Sequence, residues 1–344
     1  MTIFWYRLIL LPLLLFIQFS STENGFKKEI LISCVSNFFA EELTNFHFKY
    51  DETMAEYNFK FHDGEIDLIK GMLGNRNKII FFFLGNQDRL RNLSGRHFYS
   101  ARDQLWDTGA CVCVVSYDIS AGCSLLSDFK YFTILKNRTP RVVEMATSFI
   151  QNIIDSSEFP INLSTVYLSG YCLGGHIAGN VGLALKKIYN GQMVPTIWAF
   201  DPPWLGFTNE IEDGNPRRVQ KGDARCVVIF HTSWIGIKET IGDIDVMLND
   251  GNKIQPGCKF LENPDISFKC SHQAAFTLRE LIIKKSDKLP LNEGIPFATA
   301  HNSDQCPLAF TNMPLNKTGT YYLRTGKIFG TKFNLVVDLT SVSN

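Results

Sequence analysis

The sequence predicts an α/β fold: a mostly parallel central sheet with helices on both faces. Three observations carry that prediction. Short, continuously apolar runs end at glycine or aspartate, as strands buried on both faces do. Longer segments between them place apolar residues at helical spacing. The two patterns alternate along the chain, which is the signature of a parallel sheet with crossover helices.

Taken in order, "KIIFFFLGN" (78–86) and "ACVCVVSYD" (110–118) read as the first two buried strands. "RVVEMATSFIQNII" (141–154) follows as an amphipathic helix, and "TVYLSG" returns as a strand. Residues 173–188 read as a helix, "TIWAFD" and "RCVVIFHTS" as strands, and "SHQAAFTLRELIIKK" as a closing helix. In such sheets ligand and catalytic sites form beyond the carboxyl ends of the strands.

Ahead of this pattern, Arg7 precedes the apolar run "LILLPLLLFIQF" and then Ser20, Ser21 and Thr22. A stretch of about 12 apolar residues with a small-residue exit reads as a cleaved secretory signal over residues 1–21, since a spanning helix needs about 20. Residues 22–344 then read as one continuous domain, with no repeat, low-complexity tract or Pro/Gly-rich linker. Lysine plus arginine balances aspartate plus glutamate, 34 against 34, and neither sign is clustered, which excludes a polyanion reader such as a nucleic-acid-binding protein. The 28 phenylalanines fit a heavily packed core or an apolar binding surface.

A secreted chain favours disulfides, and nine cysteines are an odd set. Four bridges with Cys172 left over is the simplest expectation. Asn92, Asn137, Asn162 and Asn316 each head an N-x-S/T sequon, although Pro140 disfavours use of Asn137. No phosphate loop, zinc helix or C-x-x-C pair occurs, and no cofactor or metal is expected. Cys111 and Cys113 are read as facing opposite sides of their strand, a poor start for a shared metal, and "DIDVMLNDG" fails the calcium-loop spacing.

The chemistry centres on "VYLSGYCLGGHIAGN" (166–180), which has the form of a nucleophile elbow. Gly170 and Gly174 bracket a reactive residue at a strained strand-to-helix turn, and that residue is Cys172. Asp201 closes the strand "TIWAFD", and His272 follows in "KCSHQAAF" at the expected start of a helix. Cys172, Asp201 and His272 therefore keep the chain order nucleophile, acid, histidine of α/β-hydrolases. His176 lies one helical turn beyond Cys172 and His231 lies inside a strand, so both read as core histidines. Asp118 ranks below Asp201 as an orienting carboxylate.

These residues resemble those of the secreted neutral lipases, the family of pancreatic lipase, lipoprotein lipase and insect venom sn-1 phospholipases. The elbow, "IWAFDPPWLGF", "DARCVVIFHTS", "IGDIDVMLNDGNKIQPGC", "CSHQAAF" and "GTYYLRTG" resemble its blocks in the right order. The resemblance implies an α/β-hydrolase fold, fatty-acyl ester substrates at a lipid–water interface and no metal in the chemical step. It implies Cys172 as nucleophile, Asp201 as orienting acid and His272 as base, with the backbone N–H groups of Leu173 and Asn86 forming the oxyanion hole. It further implies bridges between Cys258 and Cys270 at the base of a short lid and between Cys34 and Cys123; Cys111, Cys113, Cys226 and Cys306 stay unassigned. The C-terminal β-sandwich domain of the pancreatic type is not expected.

Three departures matter. The family nucleophile is serine; its H-G-F loop reads Leu84, Gly85, Asn86 here; and the lid is short. Two functions follow from this: a secreted lipid or phospholipid ester hydrolase working through a thioester, or a catalytically inactive homologue serving as a lipid-binding, storage or venom protein.

Overall fold

The computed structural model describes residues 29–36, 43–49, 60–85, 96–117, 138–207, 217–251, 254–258, 264–284, 289–292, 294–325, 328–331 and 334–337. The expected leader, Asn86, Asn92, Asp118, Cys123 and Asn137 lie outside the described residues. Among those described, no helix is long and apolar enough to cross a membrane.

The sheet is built around a parallel centre. β3 (Ile79–Phe83), β4 (Cys111–Ser116), β5 (Val166–Tyr171), β6 (Thr196–Phe200), β7 (Cys226–His231), β8 (Ile244–Leu248) and β12 (Gly319–Leu323) run parallel in the order β4-β3-β5-β6-β7-β8-β12. Antiparallel strands finish both edges. β1 (Glu29–Val35) pairs with β4 and carries β2 (Thr44–Lys49), while β10 (Ile295–Thr299) pairs with β12 and carries β9 (Leu291–Asn292) and β11 (Gln305–Pro307). A separate hairpin joins β13 (Ile328–Thr331) to β14 (Asn334–Val337).

Helices cover both faces, so the central strands carry apolar side chains on both sides. On one face, α1 (Asp63–Leu73), α3 (Thr139–Asp155) and α4 (Leu173–Ile188) share a core with Ile79, Phe81 and Phe83. On the other, α2 (Arg96–Thr108) and α5 (Pro264–Ile283) pack with Ile80 and Phe82. α3 shows the logic most plainly: Val142, Met145, Ala146, Phe149, Ile150 and Ile153 follow helical spacing, and all are buried. A parallel centre with helices on both faces and a sharp turn from β5 into α4 is an α/β-hydrolase fold.

Several expectations change. Cys34 bridges Cys113, not Cys123, because antiparallel pairing of β1 with β4 sets Cys34 directly opposite Cys113, with the Cα atoms 3.9 Å apart. Cys111 and Cys113 do not face opposite sides: residues two apart on a strand share a face, and both lie in the same core. Four bridges do not form. Cys258–Cys270 is the second of two among the described residues, and Cys111, Cys172, Cys226 and Cys306 are free thiols. Burial pushes Cys111, Cys226 and Cys306 each up to about 12, which makes them inert. The closing helix begins at Pro264 instead of Ser271, since proline suits a first helical position, and His272 therefore sits well inside α5.

Candidate active site

At the end of β5 the chain must turn into α4 within one residue. Cys172 makes that turn with φ 55° and ψ −129°, a strained conformation for a residue with a side chain. A Cβ on Gly170 would lie 2.0 Å from the Gly174 carbonyl oxygen, and one on Gly174 would lie 2.1 Å from that of Phe83. The elbow therefore closes only with glycine at both places, and it packs against the carboxyl end of β3. The Cys172 N–H donates to the Phe200 carbonyl at 2.9 Å, tying the turn to the end of β6.

Asp201 follows Phe200 directly and has a positive φ of 48°, with its N–H donating to the Phe230 carbonyl at 2.8 Å. The carboxylate is fully buried and saturated with donors. Oδ1 accepts the Thr232 and Ser233 N–H groups at 2.8 and 3.1 Å, and Oδ2 accepts the Ser233 hydroxyl at 2.5 Å and His272 Nδ1 at 2.6 Å. Gly236 lies so near that a Cβ there would sit 2.3 Å from Oδ1.

His272 is 9% exposed, and its ring stacks on Tyr171 at 4.9 Å and 30°. With Nδ1 donating to Asp201, Nε2 is the nitrogen left for chemistry; it is buried and makes no fully formed hydrogen bond. Loose contacts of this kind are common in a resting site. Burial pushes the imidazole down, but the charge of Cys172 and then the bond to Asp201 outweigh it. Together they raise the ring to about 10. The arrangement is therefore a cysteine side chain beside an imidazole that a buried carboxylate orients.

His176 and His231 are structural. His176 Nε2 donates to the Pro203 carbonyl at 2.8 Å, Nδ1 accepts the Val219 N–H at 3.0 Å, and burial lowers the ring to about 3. His231 is buried with its nitrogens on the Ile237 carbonyl and Asp245. Among the described residues no group of three or more His, Cys, Asp or Glu could hold a metal ion. Leu173 opens α4, so its N–H has no partner inside the helix, whereas Asn86 lies outside the described residues.

Residues 126–276, which contain the elbow, the acid and the histidine, match the family model described as Lipase. Over that stretch, somewhat under half of its length, the chain is similar to lipases. Its relatives include a phospholipase A1 of Vespula squamosa, 28% identical over 48% of this chain and 52% of that protein. Lipase member H of Xenopus tropicalis is 33% identical over 43% of this chain and 30% of its own. The chain thus spans about half the length of the first relative and less of the second. A solved esterase of Pyrobaculum calidifontis overlays 40% of each chain with a TM-score of 0.29 at 16% identity; the fold assignment rests on the sheet order, not on that overlay.

Ser233, Gly236 and Tyr171 are site residues that sequence reasoning passed over. Ser233 carried a usable signal, since it ends the run "FHTS" at the carboxyl edge where the acid also lies. Tyr171 and Gly236 carried none, because each acts by packing against a residue distant in sequence.

Proposed function

We propose that the protein is a secreted carboxylic ester hydrolase acting on lipids or phospholipids through Cys172, Asp201 and His272. The observation that carries this reading is the 2.6 Å bond from His272 Nδ1 to Asp201, which leaves Nε2 beside the cysteine of a strained elbow. The Cys172 thiolate attacks the ester carbonyl carbon, and the oxyanion that forms is held by the N–H groups of Leu173 and Asn86. As the C–O bond breaks, the leaving alkoxide takes a proton from His272 Nε2, giving an acyl-thioester and a free alcohol. The thiolate charge is now gone, and with it the strongest influence raising the imidazole. Neutral His272 can then take a proton from water, hydroxide adds to the thioester, and the Cys172 thiolate leaves with release of the fatty acid.

Trp204, Leu205 and Trp234 support a lipid–water interface as the working surface, at 46%, 40% and 53% exposure. They sit on two loops beyond β6 and β7 that are tied together where the Trp204 N–H donates to the Ile235 carbonyl at 3.0 Å. Aromatic side chains of this kind favour the boundary between water and lipid. Secretion is supported by the leader pattern, by two disulfides and by exposed sequon asparagines at Asn162 and Asn316, which we propose as glycosylation sites.

The test is intact-mass analysis after exposure to a long-chain activated ester, with Cys172→Ser and Cys172→Ala in parallel. An acyl adduct on Cys172 that forms and decays supports the hydrolase. Lipid retained by all three proteins with no adduct on any would favour a binding protein and overturn it.

A further inference from the structure

We propose that Gln255 is a positioning residue, a buried brace that holds the end of β7, whose backbone binds the acid, and the base-bearing turn of α5 at a fixed separation. The proposal rests on the triad reading above and extends it to a residue that touches none of the reacting atoms.

Gln255 lies between β8 and α5 and is 1% exposed. Its side-chain nitrogen donates to the carbonyls of Thr232 at 2.8 Å and Leu248 at 3.1 Å, with Gly251 at 3.4 Å. Its side-chain oxygen accepts from Asn249 at 2.7 Å, and its backbone N–H donates to the Ser271 hydroxyl oxygen at 3.0 Å. Each end of this network is one step from the triad. Thr232 donates its own N–H to Asp201, and Ser271 immediately precedes His272. Asn249 anchors the far side by bonding Thr325 just beyond β12, through both its amide nitrogen and its oxygen.

A second tether runs alongside. Cys258, three residues after Gln255, is bonded to Cys270, one residue before Ser271. The loop after β8 is thus fastened to the base-bearing turn once by hydrogen bonds and once covalently. The disulfide fixes where the helix sits, but only the amide reaches across to Thr232, whose N–H bonds the acid. A side chain that merely filled space there would not need four polar partners on two separate segments. Loss of the amide should therefore loosen the Asp201–His272 contact while leaving the helix in place.

The experiment is an NMR titration of the His272 ring on the full-length folded protein, its signal assigned with His272→Gln, with urea unfolding of every variant. In the wild type the ring should titrate above the ordinary imidazole range. Gln255→Met should move that titration down by about half a pH unit or more, roughly a threefold change in the proton equilibrium. Ser271→Ala removes one hydrogen bond only, keeps the test usable if Gln255→Met does not fold, and should shift the titration in the same direction. Reducing Cys258–Cys270 should enlarge the shift in either variant. A raised wild-type titration that stays in place in the folded variants overturns the brace and leaves the triad standing. A wild-type ring that titrates in the ordinary range overturns the triad and the brace with it.

Discussion

At Cys172 a sulfur atom occupies a turn shaped for tight geometry, and its consequences are local. Misplacing a reacting atom by about 1 Å can cost on the order of a hundredfold, so Cys172→Ser is the variant in which hydrolysis of a medium-chain ester should rise most, measured as kcat/KM. Ser233→Ala removes a donor from a buried carboxylate and should cost about 1.5–3 kcal/mol in urea unfolding. His176 gives the acid-side signature. Its folded value of about 3 lies below that of the unfolded chain, so its contribution is full above about pH 6.5 and is lost as pH falls toward 3. Stability measured between pH 7 and 4 should therefore decline less steeply in His176→Gln than in the wild type. The order of Cys172, Asp201 and His272 was legible because each lies in a short recognisable block. The placement of Gln255 was not, since an amide that bonds backbone carbonyls obeys no spacing rule.

Among the elements, the turn from β5 into α4 is the least tolerant and α1 the most. Gly170→Ala or Gly174→Ala would drive a methyl into backbone at about 2 Å, and either should destabilise by about 4 kcal/mol or more, or abolish soluble expression. Gly71, in the interior of α1, is exposed with nothing within 4 Å of its Cβ position. Gly71→Ala should stabilise by about 0.4–1 kcal/mol in the same denaturation assay. The buried strands were legible because β3, β4, β6 and β7 are apolar on both faces, a pattern that only a doubly covered sheet demands. The start of α5 was not: Pro264 allows a helix but does not require one, and tertiary contacts decide where it begins.

For the whole molecule, the largest covalent constraint is Cys34–Cys113, which joins positions 79 residues apart and ties the antiparallel edge to the parallel centre. Closing a loop of that length should contribute about 4–5 kcal/mol, and Cys258–Cys270, with a separation of 12, about 3. Thermal unfolding of Cys34→Ala/Cys113→Ala and of Cys258→Ala/Cys270→Ala should rank the two in that order. The pairing was hidden in the sequence because it depends on the register of β1 against β4, which no local pattern announces. That register also sets a hazard during oxidative folding. Cys111 points the same way as Cys113 and lies two residues from it, so a nascent chain could join Cys34 to the wrong neighbour. A slip of two residues keeps Ile30 and Ile32 facing inward, and hydrophobic burial would not reject the mistake. The edge strand would then be locked out of register until a disulfide isomerase released it, and Cys111→Val should raise the yield of refolding by removing the competing thiol.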